Sequence, residues 1–255
     1  MLQSHAELIE RFGLFSGRCA PSIEPDGRLA CRCPDCLRWH CYTEGVDTHD
    51  ADATFPRYEV FTREHVRALA GYLHSRAASH RATTPLLVLE VGAGGGTLHA
   101  GLLAALNELS GECQLQLSAT DSGARGLHTS SPHGAAVTLE SCAAALQRLR
   151  PHVVLCCWMP LGVDWTGAFR SLDTVQEYLL VGETDSSLCG DAWRTWGRAG
   201  EDAAGVRPVP PYQVDGFRRV DLQELSRWQL CRTDERWAER GRSRTVSFRR
   251  SDTLR

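Results

Sequence analysis

The chain contains no lysine: all 28 of its basic residues are arginine. Arginine-favouring codon usage explains that bias without any appeal to phosphate recognition. A surplus of positive charge is missing as well. The formal net charge is −3, whereas generic nucleic-acid binding needs a basic field, so that class of partner is excluded. No window approaches the ~18 consecutive apolar residues of a membrane-spanning helix, so no membrane association is expected. The first sixteen residues include Glu7 and Glu10 and lack the basic-then-apolar order of a secretory signal. These absences together lead to the expectation of a cytoplasmic protein.

What is present is enough apolar material for a core, 42% of 255 residues. That length suits one large domain or a domain with an N-terminal addition, and the change in character near His80 favours the second. The expected division is a Cys-rich, helical extension over 1–80 and a larger α/β domain over 81–255. In a reducing compartment the eleven cysteines are mostly free thiols. Cys113, Cys142, Cys156, Cys157, Cys189 and Cys231, mostly in apolar segments, read as small core residues. From Phe217 to Arg255 arginine outnumbers acid, as in an exposed hairpin with solvated guanidinium groups.

The extension holds a dense cluster, Cys31-Arg-Cys33-Pro-Asp-Cys36-Leu-Arg-Trp-His40-Cys41. Thiolates so closely spaced can converge on one tetrahedral ion, and a structural zinc is the metal that suits them. Cys31, Cys33, Cys36 and Cys41 are the first candidate ligands. Four ligands from one short loop are geometrically tight, so Cys19, His40 or His49 stands ready to replace one. Free cysteines packed against the domain are the plain alternative. The extension is also the natural place for a protein partner to dock.

Further along, Ala6–Phe12 and Thr62–Leu73 have helical spacing, Glu44–Thr54 is polar and loop-like, and Ser75–Thr84 reads as a linker. Strands and helices then alternate. Strands are expected at Leu86–Val91, Leu115–Thr120, Val137–Leu139, His152–Cys157 and Tyr178–Glu183. The intervening helices are Thr97–Leu109, Ser141–Leu149 and a segment near Trp165–Leu172. Asp191–Val209 is irregular, Leu222–Arg227 is helical, and Trp228–Thr233 with Thr245–Arg249 look like a closing antiparallel hairpin. Such alternation implies a mostly parallel sheet covered by helices on both faces.

The most informative stretch is Leu86–Val91 running into Gly92-Ala93-Gly94-Gly95-Gly96. Glycines there let the backbone approach a ligand closely, and the helix that follows offers unpaired N–H groups. A dinucleotide fingerprint, G-x-G-x-x-G, would place glycine where Thr97 stands. Glu90 is more telling. A pyrophosphate would be repelled by a carboxylate just before the turn, but an ammonium or a sulfonium would not.

Glu90-Val-Gly92-Ala-Gly94-Gly-Gly96 resembles the first motif of class I S-adenosylmethionine-dependent methyltransferases, and the likeness extends from about Pro85 to Arg249. It implies a Rossmann-like, mostly parallel seven-stranded sheet with a C-terminal antiparallel hairpin, S-adenosylmethionine as cofactor, and methyl transfer to an acceptor, a small molecule or a protein. Residue by residue it implies that Glu90, Gly92, Gly94 and Gly96 cradle the methionine part, and that Asp121 binds the ribose hydroxyls. Glu140-Ser141-Cys142 would meet the adenine, with Ser141 as the contact or merely a helix cap. The residues after the fourth strand face the methyl group in that family. Cys157-Trp158-Met159-Pro160 departs from the Asn/Asp-Pro-Pro-aromatic pattern of enzymes acting on exocyclic amines of bases, which weakens an adenine N6 reading. No catalytic triad is needed for an in-line displacement, and none is visible.

On the acceptor side, Trp158 is a candidate aromatic wall and Glu183 a candidate base or substrate carboxylate. Asp164 and Trp165 lie near strand ends on the same face. Arg57 and Tyr58 are positioned to cover the cofactor from the N-terminal side. The alternative to an enzyme is an inactive domain of this fold serving as a scaffold subunit, with the cysteine cluster and the Trp/Arg-rich tail as docking surfaces. A nicotinamide oxidoreductase is disfavoured by Glu90 and Thr97.

Overall fold

Sidedness along three central strands sets the layers. In Leu86–Val91 (β4 below), Leu86 and Val88 pack on one side of the sheet, while Leu89 and Val91 pack on the other. The same parity separates Val153 and Leu155 from Val154 and Cys156, and Leu179 and Val181 from Tyr178 and Leu180. Successive side chains in a strand point to opposite faces, so a run that is apolar throughout has to be covered twice.

A computed structural model describes residues 2–23, 29–46, 55–80, 82–109, 114–129, 136–184, 188–198 and 208–251. His49 and Cys113 lie outside the described residues, as does much of the loop expected over Glu44–Thr54. The N-terminal part comprises α1 (His5–Phe12), β1 (Ser22–Ile23), β2 (Leu29–Ala30), α2 (Pro34–Glu44), β3 (Glu59–Val60) and α3 (Arg63–Ala78). There follow β4 (Leu86–Val91), α4 (Thr97–Glu108), β5 (Leu115–Asp121), β6 (Thr138–Leu139), α5 (Cys142–Leu149), β7 (Val153–Cys157), α6 (Thr166–Ser171) and β8 (Glu177–Glu183). The chain continues with α7 (Pro211–Val214), β9 (Phe217–Asp221), α8 (Gln223–Ser226), β10 (Leu230–Cys231) and β11 (Ser243–Arg250).

The main sheet has seven strands in the order β6-β5-β4-β7-β8-β11-β9. β6, β5, β4, β7 and β8 run parallel, and β11 is antiparallel to both β8 and β9. This is a Rossmann-like, mostly parallel sheet with antiparallel pairing at its C-terminal end. The β11 partner differs from the expected one. β11 pairs with β9, while Leu230 and Cys231 of the expected hairpin arm pair with Val60 and Glu59 in a separate two-stranded sheet. Trp228–Thr233 is kept from the main sheet because Thr62 Oγ1 donates to the Trp228 carbonyl at 2.7 Å and Arg232 N to the Tyr58 carbonyl at 3.0 Å. Nor are the terminal arginines merely solvated: Arg250 donates to the carbonyls of Val175 and Leu172 at 3.0 and 2.8 Å.

The division at residue 80 does not follow the packing. α3 runs past the expected end at Leu73 through part of the supposed linker, and its Val66, Leu69, Ala70 and Leu73 share one core with Leu98 and Leu102 of α4 and with β4, β7 and β8. The physical reason is amphipathicity: an apolar stripe repeated over four turns needs a partner surface, and the sheet supplies it. The part with its own small core is the segment before α3. There Leu8, Phe12, Leu14, Trp39 and Tyr42 pack together and are sealed by Val60 and Leu230. α1 starts at a reciprocal cap, Ser4 N donating to Glu7 Oε2 at 2.8 Å and Glu7 N to Ser4 Oγ at 3.2 Å. Among the described residues no helix is long and apolar enough to cross a membrane.

One buried charge ties α3 to the sheet. Glu177, fully enclosed at the start of β8, is paired with Arg76 Nε at 2.7 Å and Arg249 Nε at 3.3 Å, and accepts from Tyr72 and Ser247 hydroxyls. Replacing it removes the acceptor from Tyr72, Ser247 and Arg249 and the opposite charge from Arg76 in one step. Glu177→Leu is expected to lower unfolding free energy by about 2–3 kcal/mol in urea titration, because Arg76 and Arg249 lose their carboxylate while staying largely buried. A loss below ~0.5 kcal/mol would show that those arginines simply turn to solvent.

Candidate functional site

The C-terminal ends of β4 and β5 open into a cleft of about 1280 Å³ lined by the glycine loop, Asp121, Glu140, Trp158 and Trp165 and, from the N-terminal side, by Arg57, Tyr58 and Glu59. Chain reversal after β4 is what builds it. Gly92, Gly94 and Gly96 have φ of +67°, +53° and +74°, values that side-chain-bearing residues adopt at a cost. At Gly92 there is no space either: a Cβ there would lie 3.1 Å from the Trp165 ring. Gly96 is the N-cap of α4 and brings no side-chain cap, so the first turn keeps donors for an outside group.

Asp121 closes β5 beside this loop. Its Oδ2 accepts from Gly94 N at 2.9 Å and its Oδ1 from Gly123 N at 2.8 Å, so the carboxylate is held at the cleft with lone pairs to spare. Glu90 sits below the loop, 2% exposed, and its Oε2 has no hydrogen-bond partner among the described residues. Burial, and secondarily the charge of Asp121, pushes the Glu90 carboxyl up to about 8. A buried carboxyl oxygen without a partner, beside a carboxylate and a helix N-terminus, is completed by a ligand that brings positive charge or hydrogen-bond donors.

Ser141 is not among the residues that line the cleft. Its hydroxyl accepts from Ala144 N at 3.3 Å and caps α5, while its neighbours Glu140 and Cys142 line the wall. Glu140 is held by Arg148 through Nη2 at 2.6 Å and Nε at 3.1 Å, and this hydrogen bonding lowers its pKa.

The acceptor-side candidates separate. Trp158 lines the cleft in a left-handed backbone conformation, φ +55°, which is strained for a bulky residue. It is held there by Trp158 N donating to the Val181 carbonyl at 2.8 Å and by the indole N–H donating to Glu59 Oε2 at 2.7 Å. The Tyr58 ring lies 5.7 Å away, completing an aromatic wall. Glu183 is not brought to the cleft: it is 1% exposed, accepts from Thr233 Oγ1 at 2.8 Å, and faces Arg242. Asp164 is likewise occupied, its Oδ1 accepting from Thr166 and Thr195 hydroxyls at 2.6 and 3.0 Å.

The carboxyl group that holds the Trp158 indole is Glu59, which the sequence reading missed. Beside its bond to Trp158 it accepts from Gln229 Nε2 at 2.9 Å and Ser243 Oγ at 2.7 Å, and burial pushes it up to about 7. No local signal marks it. Its strand has two residues, and Gln229 and Ser243 stand far off in sequence.

The cysteine cluster is a separate place. Cys19, Cys31, Cys33 and Cys36 have their sulfur atoms within 4.8 Å of one another, an arrangement compatible with one zinc ion. Cys41 is not among them. From Cys36 it is displaced by about 7.5 Å along α2 and roughly 140° around it, so its thiol faces outward. His40 also stays outside the group, and Cys19 completes it. The N–H of Cys36 holds the Cys33 thiol well below the usual range, while burial raises that of Cys36.

No protein-family model matches the chain, and neither does any curated protein. Among solved structures it is similar to the CurJ carbon methyltransferase, at 11% identity over 97% of this chain and 70% of that one, with a TM-score of 0.48. The DszA carbon methyltransferase is 19% identical over 100% of this chain and 84% of that one, TM-score 0.47. The magnesium protoporphyrin IX methyltransferase of Synechocystis PCC 6803, with bound SAM, is 14% identical over 87% and 100%, TM-score 0.40. These are likenesses of chain architecture.

Proposed function

We propose that the cleft binds S-adenosylmethionine and that the protein is a methyltransferase. The observation that carries this reading is the unpartnered, buried Glu90 oxygen beneath a left-handed glycine loop whose Gly94 N–H is tied to Asp121. In this reading the glycine loop and the first turn of α4 hold the amino-acid part, Glu90 offsets its positive charge, and Asp121 accepts from the ribose hydroxyls. When bound, the cofactor supplies a methyl group made electrophilic by its sulfonium. The chain's own residues orient the partners and exclude water: Trp165 closes the loop side, and Trp158 with Tyr58 forms the wall against which the acceptor rests. Proximity and orientation are the main contributions such a displacement needs. Zinc, the second cofactor of this reading, belongs to the cysteine cluster, whose four thiols do not line the cleft.

Calorimetry with S-adenosylmethionine and S-adenosylhomocysteine is the direct test. Saturable binding is expected, and Asp121→Ala should weaken it by about 1–3 kcal/mol, the usual cost of losing hydrogen bonds to a charged group. No heat at millimolar ligand would end the proposal, and an unchanged affinity in the variant would remove Asp121 from the ribose role. The acceptor, a small molecule or a protein, is sought by offering labelled methyl groups to fractionated extract. The scaffold alternative expects binding without transfer in every fraction.

A further inference from the structure

The N-terminal thiols are arranged by a small unit of recognisable physics. Cys19 precedes β1 and Cys31 follows β2, and the two strands pair antiparallel, so the hairpin returns both residues to one end. Cys33 is the N-cap of α2 and Cys36 stands in its first turn, three residues on, where side chains share a face. Pro34 at the first helical position presets the turn. The sulfur of Cys19 lies 3.5 Å from that of Cys33 and 3.8 Å from that of Cys36. A tetrahedral zinc with Zn–S bonds of about 2.3 Å requires sulfurs about 3.75 Å apart. Four thiols packed this closely gain little from one another when protonated. Tetrathiolate coordination would bind all four.

We propose that Cys19, Cys31, Cys33 and Cys36 form a closed structural zinc site that fastens the N-terminal hairpin to the first turn of α2. Four thiolates and Zn²⁺ carry a net charge of −2, and a cation is in place to offset part of it. Arg236 is 8% exposed, with Nη1 3.7 Å from Cys33 Sγ and 2.5 Å from Asp35 Oδ2. Its backbone is bound to the same unit, Gly17 N donating to the Arg236 carbonyl at 2.9 Å and Phe15 N to the Glu235 carbonyl at 3.3 Å. The ion therefore closes a loop in the N-terminal chain, and Arg236, more than two hundred residues later, meets that loop at the Cys33 sulfur. Metal coordination adds folding energy directly to this small unit. With all four positions filled by protein no site is left for substrate, so the role is structural. The assignment is independent of what the cleft binds.

The test uses the full chain purified in reductant without chelator. About one zinc per chain is expected by metal analysis. Chelation should release it and expose four thiols to a colorimetric thiol reagent, and cobalt uptake by the stripped protein should produce the intense visible bands of tetrahedral thiolate coordination. Cys19→Ser and Cys36→Ser should each weaken metal binding by at least about a hundredfold, while Cys41→Ser retains it. The proposal is overturned by protein that carries no zinc and takes up none, by iron in its place, or by Cys41→Ser losing the metal while Cys19→Ser keeps it. Should the serine variants fail to fold, the cobalt spectrum and thiol count of the unmutated chain still decide.

Discussion

Glu90→Gln is expected to stabilise the ligand-free protein above pH 8 by roughly 2–4 kcal/mol while changing it little at pH 5. The sign follows from where the proton resides. In the folded chain the Glu90 carboxyl is raised from its usual 4.5 to about 8 by burial and by Asp121. Between those values the folded protein holds a proton that the unfolded chain has released. Stability attached to the protonated form is complete below about pH 4.5 and is lost as pH rises through 8, at about 1.4 kcal/mol per unit. Glutamine has no proton to lose, and its amide resembles the neutral acid. The same group links cofactor binding to protons. A sulfonium cofactor stabilises ionised Glu90, so its affinity should rise with pH from 6 to 8, by up to about tenfold per unit, with nearly one proton released per molecule bound. Comparing the unmutated protein with Glu90→Gln cancels the titration of the ligand's own amine. Calorimetry in buffers of differing ionisation enthalpy reads the proton count, and urea titrations at pH 5 and 8.5 read the stability. Equal pH dependence in the two proteins would show that Glu90 is ionised in the empty cleft, or that the cation binds elsewhere.

Gly92→Val should abolish cofactor binding, weakening it more than about a hundredfold, which is about 2.7 kcal/mol. Two effects combine. The left-handed φ of +67° is costly for a β-branched residue, and the added Cβ meets the Trp165 ring at 3.1 Å. Relief requires the loop to move or Trp165 to leave, and either one changes the cradle. The sheet beneath has no reason to follow, since Val91 and Leu89 keep their burial. A folded protein by circular dichroism with no detectable calorimetric signal is therefore the expected outcome. Binding within threefold of the unmutated protein would mean that the ligand does not touch this loop. Gly126→Ala serves as a control: its φ is also positive, but nothing lies within 4 Å of the added Cβ.

How far each of these features could be read beforehand depended on how local its cause is. β4, the glycine turn and α4 are encoded within about twenty consecutive residues: an apolar run, glycines that permit left-handed turns, then helical spacing. Asp121 follows from the same logic one strand later. By contrast β11 has two neighbours, and nothing in Thr245–Arg249 says whether Phe217–Asp221 or Trp228–Thr233 lies beside it. That choice rests on Thr62 and Tyr58 holding the latter elsewhere. Glu59 and Glu183 are both acidic residues at strand ends, and only burial and distant partners decide which of them faces Trp158. Ser141 could be read as ligand contact or cap, and the structure shows its hydroxyl in the capping role.

The cysteine cluster divides along the same line. Density of thiols within eleven residues pointed to a metal, but the ligand set follows from geometry at a distance. A helix from Pro34 carries Cys41 around its axis and away, and a hairpin returns Cys19 from fourteen residues upstream of Cys33. By itself, then, the sequence determined the alternating architecture and the glycine loop with its two carboxylates, since periodicity and backbone freedom act over a few residues. Tertiary structure alone decided which strand closes the sheet, which carboxyl group holds the Trp158 indole and which four thiols meet. Those outcomes depend on contacts between residues far apart in the chain, whose energies no short window contains.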